Sequence, residues 1–124
     1  MSAMKFTEDH EWLRIEDDGT VTVGITDHAQ RNLGDLVHIE LPEVGKEVSK
    51  GDEIAVIESV KAAGEIKAPA GGTVTEVNES LADEPAKVNE DPVGDGWFFK
   101  MKVADSGDLE NLMDEAAYKS FIED

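Results

Sequence analysis

The sequence predicts a mainly β fold, a compact barrel or sandwich of short antiparallel strands. Two patterns indicate it. From Gly45 onward, short apolar runs are punctuated by glycine and proline, a spacing typical of small barrels and sandwiches. A sustained four-residue apolar repeat, which indicates helix, begins only after Ser106. At 124 residues the chain has the usual length of one domain, so we expect a single domain over residues 1–124.

The first third of the chain predicts a hairpin followed by a short helix. Residues 10–16 form one strand, Asp17-Asp18-Gly19 forms the turn, and residues 20–25 form the returning strand, whose apolar side chains alternate. Thr26 has the right side chain to cap a helix, and Gly34 is placed to end it.

The rest of the chain predicts further strands and a helical end. Five strands are expected, at residues 36–41, 54–57, 65–68, 73–77 and 97–103. Ala62-Ala63-Gly64 is expected to interrupt the pattern between two of them. The C-terminal apolar repeat predicts one or two helices that dock on the sheet through Leu109, Met113, Ala117 and Phe121.

Charge and composition exclude several classes of partner. Lys and Arg number 11 against 29 Asp and Glu, a net charge of −18, which repels nucleic acid and anionic lipid and favours proteins with basic docking faces. The chain has no Cys, which excludes disulfides and suits a reducing compartment. Residues 1–10 show no pattern of a signal or transit peptide, and no apolar run could span a membrane. We therefore expect a cytoplasmic protein of bacterial type, without nucleic-acid or membrane partners.

Sequence motifs of catalysis are missing, which leaves one lysine as the candidate site. The three His are not at metal-ligand spacing, and no phosphate loop or nucleophile elbow occurs. Lys61 follows a buried-looking strand and precedes small residues. We expect it at the tip of a hairpin, where another enzyme can reach it; the residues alone leave open that it is an ordinary surface lysine.

The chain resembles the glycine cleavage H-protein family, the lipoyl carriers, over nearly its whole length. The resemblance rests on separate segments in the same order, which include His10-Glu11-Trp12, Gly24-Ile25-Thr26-Asp27-His28-Ala29-Gln30, Leu33-Gly34-Asp35, Glu40-Leu41-Pro42-Glu43-Val44-Gly45, Glu58-Ser59-Val60-Lys61-Ala62, Glu76-Val77-Asn78, Asn89-Glu90-Asp91-Pro92 and Gly96-Trp97. It implies a barrel-sandwich hybrid (lipoyl/biotinyl hammerhead), with a lipoyl-like core at about 20–103 and a helical extension at 105–124.

The same resemblance implies a site. Lys61 would carry lipoate in amide linkage, attached by a lipoate ligase or a lipoyl/octanoyl transferase that recognises Glu58 and Gly72. Gly45 and Gly72 also stand where lipoyl domains place glycines around the modified lysine, and we expect them to let the hairpin arms turn, because glycine reaches positive φ without a clash.

The implied function is that of a carrier, not of an enzyme. Lipoyl-Lys61 would take the aminomethyl group of glycine from the pyridoxal-phosphate glycine decarboxylase to the tetrahydrofolate-dependent aminomethyltransferase. Dihydrolipoyl dehydrogenase, with FAD, would then reoxidise the arm. The cofactor supplies the chemistry, while the protein supplies position and recognition. We expect a monomer.

The family also implies a cleft that protects the loaded arm. By position its lining corresponds to Asp9, Glu11, Asn32 and Glu65, and carboxylates there would suit a cationic aminomethyl group. The chain departs from the family at this cleft: Asn32 stands where relatives often have His, and Ala63-Gly64 and Lys67 stand where Val-Ser and Tyr are commoner. An amide keeps hydrogen bonding at Asn32 but cannot titrate.

Two alternatives remain at this stage. One is a related carrier with another duty, either a relay that hands lipoate to other proteins or a biotinyl domain; Glu58-Ser59-Val60-Lys61 argues against biotin, because biotinyl lysines usually have Met on both sides. The other is an unmodified interaction module in which Lys61 is merely exposed.

Overall fold

The computed structural model describes residues 3–8, 10–16, 19–104, 106–109 and 112–123. Within those residues the strands are β1 (Ala3–Phe6), β2 (Glu11–Ile15), β3 (Thr20–Ile25), β4 (Leu36–Glu40), β5 (Glu47–Val48), β6 (Glu53–Ser59), β7 (Ala63–Lys67), β8 (Gly72–Val77) and β9 (Phe99–Val103). The helices are α1 (Asp27–Leu33), α2 (Ser80–Asp83), α3 (Ala86–Glu90) and α4 (Glu115–Glu123), with a 3₁₀ helix at Ser106–Leu109. The predicted mainly β fold is confirmed.

The strands form two antiparallel sheets. The six-stranded sheet has the order β1-β2-β3-β9-β8-β5, and the three-stranded sheet has the order β4-β6-β7. Apolar side chains of both sheets, among them Val23, Phe99, Ile57 and Ile66, belong to one buried cluster. The two sheets therefore pack against each other around a shared core, and the hairpin of β6 and β7 stands on one side of it.

Helix α1 has the ends that the sequence predicts. The side-chain oxygen of Thr26 accepts a hydrogen bond from the Ala29 N–H at 3.2 Å, which satisfies one of the free donors of the first turn. Gly34 ends the helix at φ +80°, a conformation that favours glycine. The helix connects β3 of the large sheet to β4 of the small one, so it spans the two layers.

Helix α4 docks through a different face from the one predicted. Tyr118 is buried, whereas Ala117 and Phe121 are exposed. Met113 lies outside the helix, where its backbone forms a bridge to Phe6. The four-residue repeat therefore crosses the break before α4, and the prediction of a docked stripe through Ala117 and Phe121 was wrong.

Two other predictions need correction or fall outside the structure. Strand β7 begins at Ala63, so Ala63 and Gly64 continue the ladder that they were expected to interrupt. Residues 17 and 18 of the predicted turn lie outside the described residues.

Among the described residues, no helix combines the length and apolar character needed to cross a bilayer. The division into a core at about 20–103 and an extension at 105–124 stays a prediction.

Candidate functional site

Lys61 lies at the tip of the hairpin formed by β6 and β7. Glu58 pairs with Ala63 as the last rung of the ladder, and the chain reverses over the next residues. Lys61 is exposed, and within the described part of the chain its ammonium group has no ion pair. The amine is thus accessible to a second protein.

The side chain of Ser59 closes this turn. Its hydroxyl donates to the Ala62 carbonyl at 3.0 Å and accepts from the N–H groups of Ala62 at 3.0 Å and Lys61 at 3.3 Å. A backbone bond from the Ser59 N–H to the Ala62 carbonyl, at 2.8 Å, completes the turn. The tip is therefore exposed but has a defined backbone, as expected of a hydroxyl residue in a tight turn.

The tip rests on the junction between α1 and β4, formed by Gly34 and Asp35. The Val60 N–H donates to the Asp35 carbonyl at 3.0 Å. An ideal Cβ on Gly34 would lie 3.2 Å from Cε of Lys61, which is closer than most Cβ contacts. Gly34 also has φ +80°, a backbone conformation that glycine adopts without a clash. Glycine at this position therefore leaves room for the lysine stem. We call this junction the seat of the lysine.

The two residues expected to guide the modifying enzyme lie in different sheets. Glu58 is exposed on β6, three positions before Lys61 and opposite His38 of β4. Gly72 begins β8 of the large sheet. Its φ is not positive, and a Cβ there would collide with the carbonyl oxygen of Lys102. Close strand packing, not the turn geometry we predicted, explains this glycine; Gly45 does adopt a positive φ, of 92°.

A cleft of about 230 Å³ beside α1 brings together three of the four residues expected to line it, Glu11, Asn32 and Glu65. Asp9, the fourth, lies outside the described residues. The remaining lining is mainly apolar and consists of Ile25, Ala29, Leu33, Ile57 and Ile66, together with His10 and Gly64. An ideal Cβ on Gly64 would meet nothing within 4 Å, so the glycine leaves the cleft wider at this point than a serine would.

Glu11 is the fixed acidic group of the cleft. It is 3% exposed, and its carboxylate accepts a hydrogen bond from the Lys67 N–H at 2.9 Å and one from the Thr7 hydroxyl at 3.4 Å. Lys67 belongs to the small sheet and Glu11 to the large one, so this carboxylate also links the two sheets. Asn32 and Glu65, in contrast, are exposed.

Next to the cleft, Tyr118 fastens α4 to the loop before β2. Hydrogen bonds join its hydroxyl to Nδ1 of His10 at 2.8 Å and to the Thr26 hydroxyl at 2.7 Å. His10, with φ +67°, also lines the cleft. Burial raises the pKa of the Tyr118 hydroxyl above its ordinary value of 10.0, and the hydrogen bond to Thr26 opposes that shift in part.

An exposed lysine on a hairpin tip with a hydrogen-bonded turn, beside a cleft with a buried carboxylate, is the arrangement of a carrier domain. The chain matches the family model described as glycine cleavage H-protein over residues 4–124. The chain belongs to the glycine cleavage H-protein family.

Individual relatives agree over the full length. The glycine cleavage system H protein of Rhodospirillum rubrum is 52% identical over 122 residues, which cover 98% of this chain and 97% of the relative. That of Thermotoga maritima is 55% identical, covering 98% and 97%, and that of Escherichia coli is 54% identical, covering 98% and 94%. A crystal structure of the H protein from Mycobacterium marinum superposes with a TM-score of 0.89 at 37% identity, covering 98% and 97%.

These similarities confirm the predicted family and the barrel-sandwich hybrid fold. They also confirm the role: the protein is the lipoyl carrier of the glycine cleavage system and a non-catalytic component of it. It interacts with other components of that system.

Sequence reasoning missed two residues that shape this site. Ser59 was quoted as part of the lysine segment, but no role was assigned to it. Asn89 was quoted only within a segment that carries the resemblance, yet it lies in α3 and its side chain bonds to the seat of the lysine. A serine two residues before a tip residue is a usable signal for a side-chain-closed turn. No local signal indicates a contact between positions 89 and 34.

Proposed function

We propose that Lys61 carries lipoate in amide linkage on its Nζ, attached by a lipoate ligase or a lipoyl/octanoyl transferase. Two features support this proposal: the amine has no ion pair among the described residues, and Ser59 gives the tip a defined shape for an enzyme to bind. In the attachment the deprotonated amine attacks the carboxyl carbon of the activated acyl donor. The amide bond forms and the leaving group of the donor departs.

Acylation changes the charge of the tip as well as its length. The lysine loses its positive charge, which makes the net charge of −18 one unit more negative. Glu58, three residues away and exposed, then dominates the local field. We propose that Glu58 and Gly72 are recognised by the modifying enzyme, Glu58 directly and Gly72 through the strand packing that it permits.

The lipoyl group, once attached, supplies a disulfide that takes up the aminomethyl group of glycine and is reduced in doing so. We propose that the partners are the pyridoxal-phosphate glycine decarboxylase, the tetrahydrofolate-dependent aminomethyltransferase and the FAD enzyme dihydrolipoyl dehydrogenase. The tether makes each transfer effectively intramolecular once the carrier has docked, with an effective concentration on the order of mM. We further propose that the carrier is a cytoplasmic monomer.

We also propose that the cleft lined by Glu11, Asn32 and Glu65 shelters the loaded arm. Asn32 and Leu33 line the cleft from α1, and the lysine stem passes close to Gly34, the residue that ends this helix. The root of the arm thus lies next to the end of the helix that lines the cleft. The apolar walls suit the hydrocarbon of the arm, and the two carboxylates suit a protonated amine at its end. Asp9 is proposed as a further acidic group from its position in the sequence alone.

The attachment is tested by intact mass and peptide mapping after incubation with lipoate ligase, lipoate and ATP. We expect one lipoyl-sized increment on the peptide that contains Lys61 and none in Lys61→Arg. The matched control is Lys67→Arg, which alters another exposed lysine of the same hairpin and should keep the full increment. An increment on any other residue, or none in the wild type under any modifying enzyme, would contradict the proposal.

Lipoate relay is distinguished by reconstitution. The lipoylated protein, mixed with the decarboxylase, the aminomethyltransferase and the dehydrogenase, should support glycine-dependent formation of CO₂ and NADH. A protein that accepts lipoate and passes it to other acceptors, but supports no glycine cleavage, would indicate the relay instead.

A further inference from the structure

The side chain of Asn89 bonds to three groups at the end of α1 and the start of β4. Its Oδ1 accepts from the Leu36 N–H at 3.0 Å, and its Nδ2 donates to the Gly34 carbonyl and to Oε1 of Gln30, each at 2.9 Å. Asn89 lies in α3, which is 53 residues away from Leu36 in sequence. The amide of Asn89 therefore holds the seat of the lysine from a distant element.

The bonded junction in turn supports the tip. Gly34 and Leu36, which Asn89 bonds, flank Asp35, whose carbonyl accepts from the Val60 N–H at 3.0 Å. The stem of Lys61 also passes close to Gly34, where an ideal Cβ would lie 3.2 Å from its Cε. Hydrogen bonds thus run from α3 through the seat to Val60, the residue before the lysine. Removing the side-chain amide of Asn89 would leave Lys61 itself unchanged but would remove hydrogen bonds that hold the seat of the lysine in place.

Helix α1 needs such support because it is short and superficial. It has seven residues, none of them fully buried, and isolated helices of this length are not stable in water. The last carbonyls of a helix also lack partners within it. Asn89 satisfies one of these carbonyls, that of Gly34, together with the N–H that follows it at Leu36. Its bond to Gln30 fixes the last turn of the helix from the side.

We propose that Asn89 is a positioning residue for acylation of Lys61: it holds the seat, and thereby the tip, in the geometry that a modifying enzyme binds. This inference rests on the proposed function, in which Lys61 is the residue acylated. A tip that is competent only part of the time binds its enzyme more weakly in proportion to that fraction. The loss therefore falls on KM and leaves kcat nearly unchanged.

The matched control is Asn78, whose side chain also makes three hydrogen bonds, in another part of the molecule. Its Nδ2 donates to the carbonyls of Asp95 and Trp97 at 2.8 and 2.9 Å, and its Oδ1 accepts from the Ser80 hydroxyl at 2.6 Å. None of these partners belongs to the seat or the tip. Asn89→Asp and Asn78→Asp each replace an NH₂ donor by an oxygen of the same size. A purely structural role for Asn89 would make the two variants behave alike.

Two measurements distinguish a positioning role of Asn89 from a purely structural one. The first is hydrogen exchange of the Val60 amide in the unmodified protein: we expect it to be about fivefold to thirtyfold faster in Asn89→Asp, as for the loss of one or two net hydrogen bonds, and unchanged in Asn78→Asp. The second is steady-state acylation by lipoate ligase with lipoate and ATP, in which the KM for the carrier rises about threefold to tenfold only in Asn89→Asp.

Equal effects of the two variants on either readout, or an unchanged Val60 amide in Asn89→Asp, would overturn the inference. If Asn89→Asp does not fold, hydrogen exchange in the wild type provides the test. The exchange rates of the Leu36 and Val60 amides should lie within about threefold of each other, because one shared opening exposes both. Exchange of Val60 that is independent of Leu36 would overturn the inference. Failure of the wild type to be acylated at Lys61 would instead reject the proposed function, while the exchange measurement would still decide the role of Asn89 in holding the tip.

Discussion

The hairpin tip at Lys61 and the cleft at Glu11 hold their charged groups in opposite ways. Lys61 stands in solvent with no ion pair among the described residues, and the structure around it is fixed through backbone bonds and the Ser59 hydroxyl. Glu11 is almost completely buried, and its carboxylate is bonded directly by Lys67 and Thr7. Around Lys61 the backbone is held by hydrogen bonds and the ammonium group is free of ion pairs with the described residues. At Glu11 the carboxylate itself is held by hydrogen bonds.

Under the proposed function, the difference follows from what each group would meet: Lys61 a modifying enzyme, and Glu11 the cationic end of the loaded arm. An amine that another enzyme acylates has to enter that enzyme's active site, so bonds to its own protein would have to be broken first. A carboxylate that receives a small cation inside the carrier gains from being oriented in advance, because less ordering remains to be done on binding. The following changes are arranged from the largest expected effect to the smallest.

Lys61→Arg is expected to abolish glycine cleavage in the reconstituted system, because a guanidinium is not acylated. The change is at an exposed tip and keeps the charge, so the free energy of unfolding should move by less than about 0.5 kcal/mol. Urea denaturation and turnover measure the two effects separately. Residual glycine cleavage, or a variant that fails to fold, would show that the lysine is not the free group described above.

Glu11→Gln is expected to destabilise the protein by about 1–2 kcal/mol, because the amide turns one acceptor into a donor that faces the Thr7 hydroxyl or the Lys67 N–H. The matched change Glu65→Gln, at an exposed position of the same cleft, should cost less than about 0.5 kcal/mol. Both variants should release ammonia and formaldehyde from the loaded carrier faster than the wild type does. Equal stability of the two variants would contradict the fixed role of Glu11.

Gly34→Ala is expected to cost about 1 kcal/mol of folding stability through its positive φ and also to slow acylation of Lys61, because the new methyl group presses on the lysine stem. Gly45→Ala is the control, since Gly45 has φ +92° but an ideal Cβ there meets nothing within 4 Å. It should lose similar stability and keep the wild-type acylation rate. Acylation that slows equally in both variants would mean that the seat has no specific effect on the lysine.

The smallest effect concerns pH. Burial raises the pKa of Tyr118 above 10.0 in the folded protein, so between its unfolded and folded pKa values the unfolded state binds fewer protons. The free energy of unfolding must then fall as pH rises through about 10, and this contribution is constant below that pH. Urea titrations at pH 8 to 11 should show a steeper fall for the wild type than for Tyr118→Phe. Parallel curves would exclude the shift.

Elements with local signals could be predicted from the sequence. Strand β3 and helix α1 appear at the expected residues, because alternating apolar residues, the Thr26 cap and Gly34 all act within a few positions. Strand β5 has only two residues, too few to show any alternation. The face of α4 was predicted wrongly because the apolar repeat continues across a break that depends on the pairing of Met113 with Phe6.

The residues of the candidate site also divide into those with a local sequence signal and those without one. The exposed tip at Lys61 follows from a buried strand, a turn and small residues, all of them local. The fixed state of Glu11 depends on Lys67, which is 56 residues away, and the support of the seat depends on Asn89. Such contacts arise only when the two sheets and the helices have packed, so a single sequence contains no signal for them.

Asn32 and Leu33 of α1 line the cleft, and the lysine seat begins at Gly34, the next residue. The spacing between cleft and seat is therefore set by the last turn of this helix and its cap. Inserting one residue between Asn32 and Gly34 would rotate one relative to the other by about 100°. Under the proposed function, this would turn the anchored end of the cofactor away from the compartment that receives its other end, so the length of this helix would be constrained.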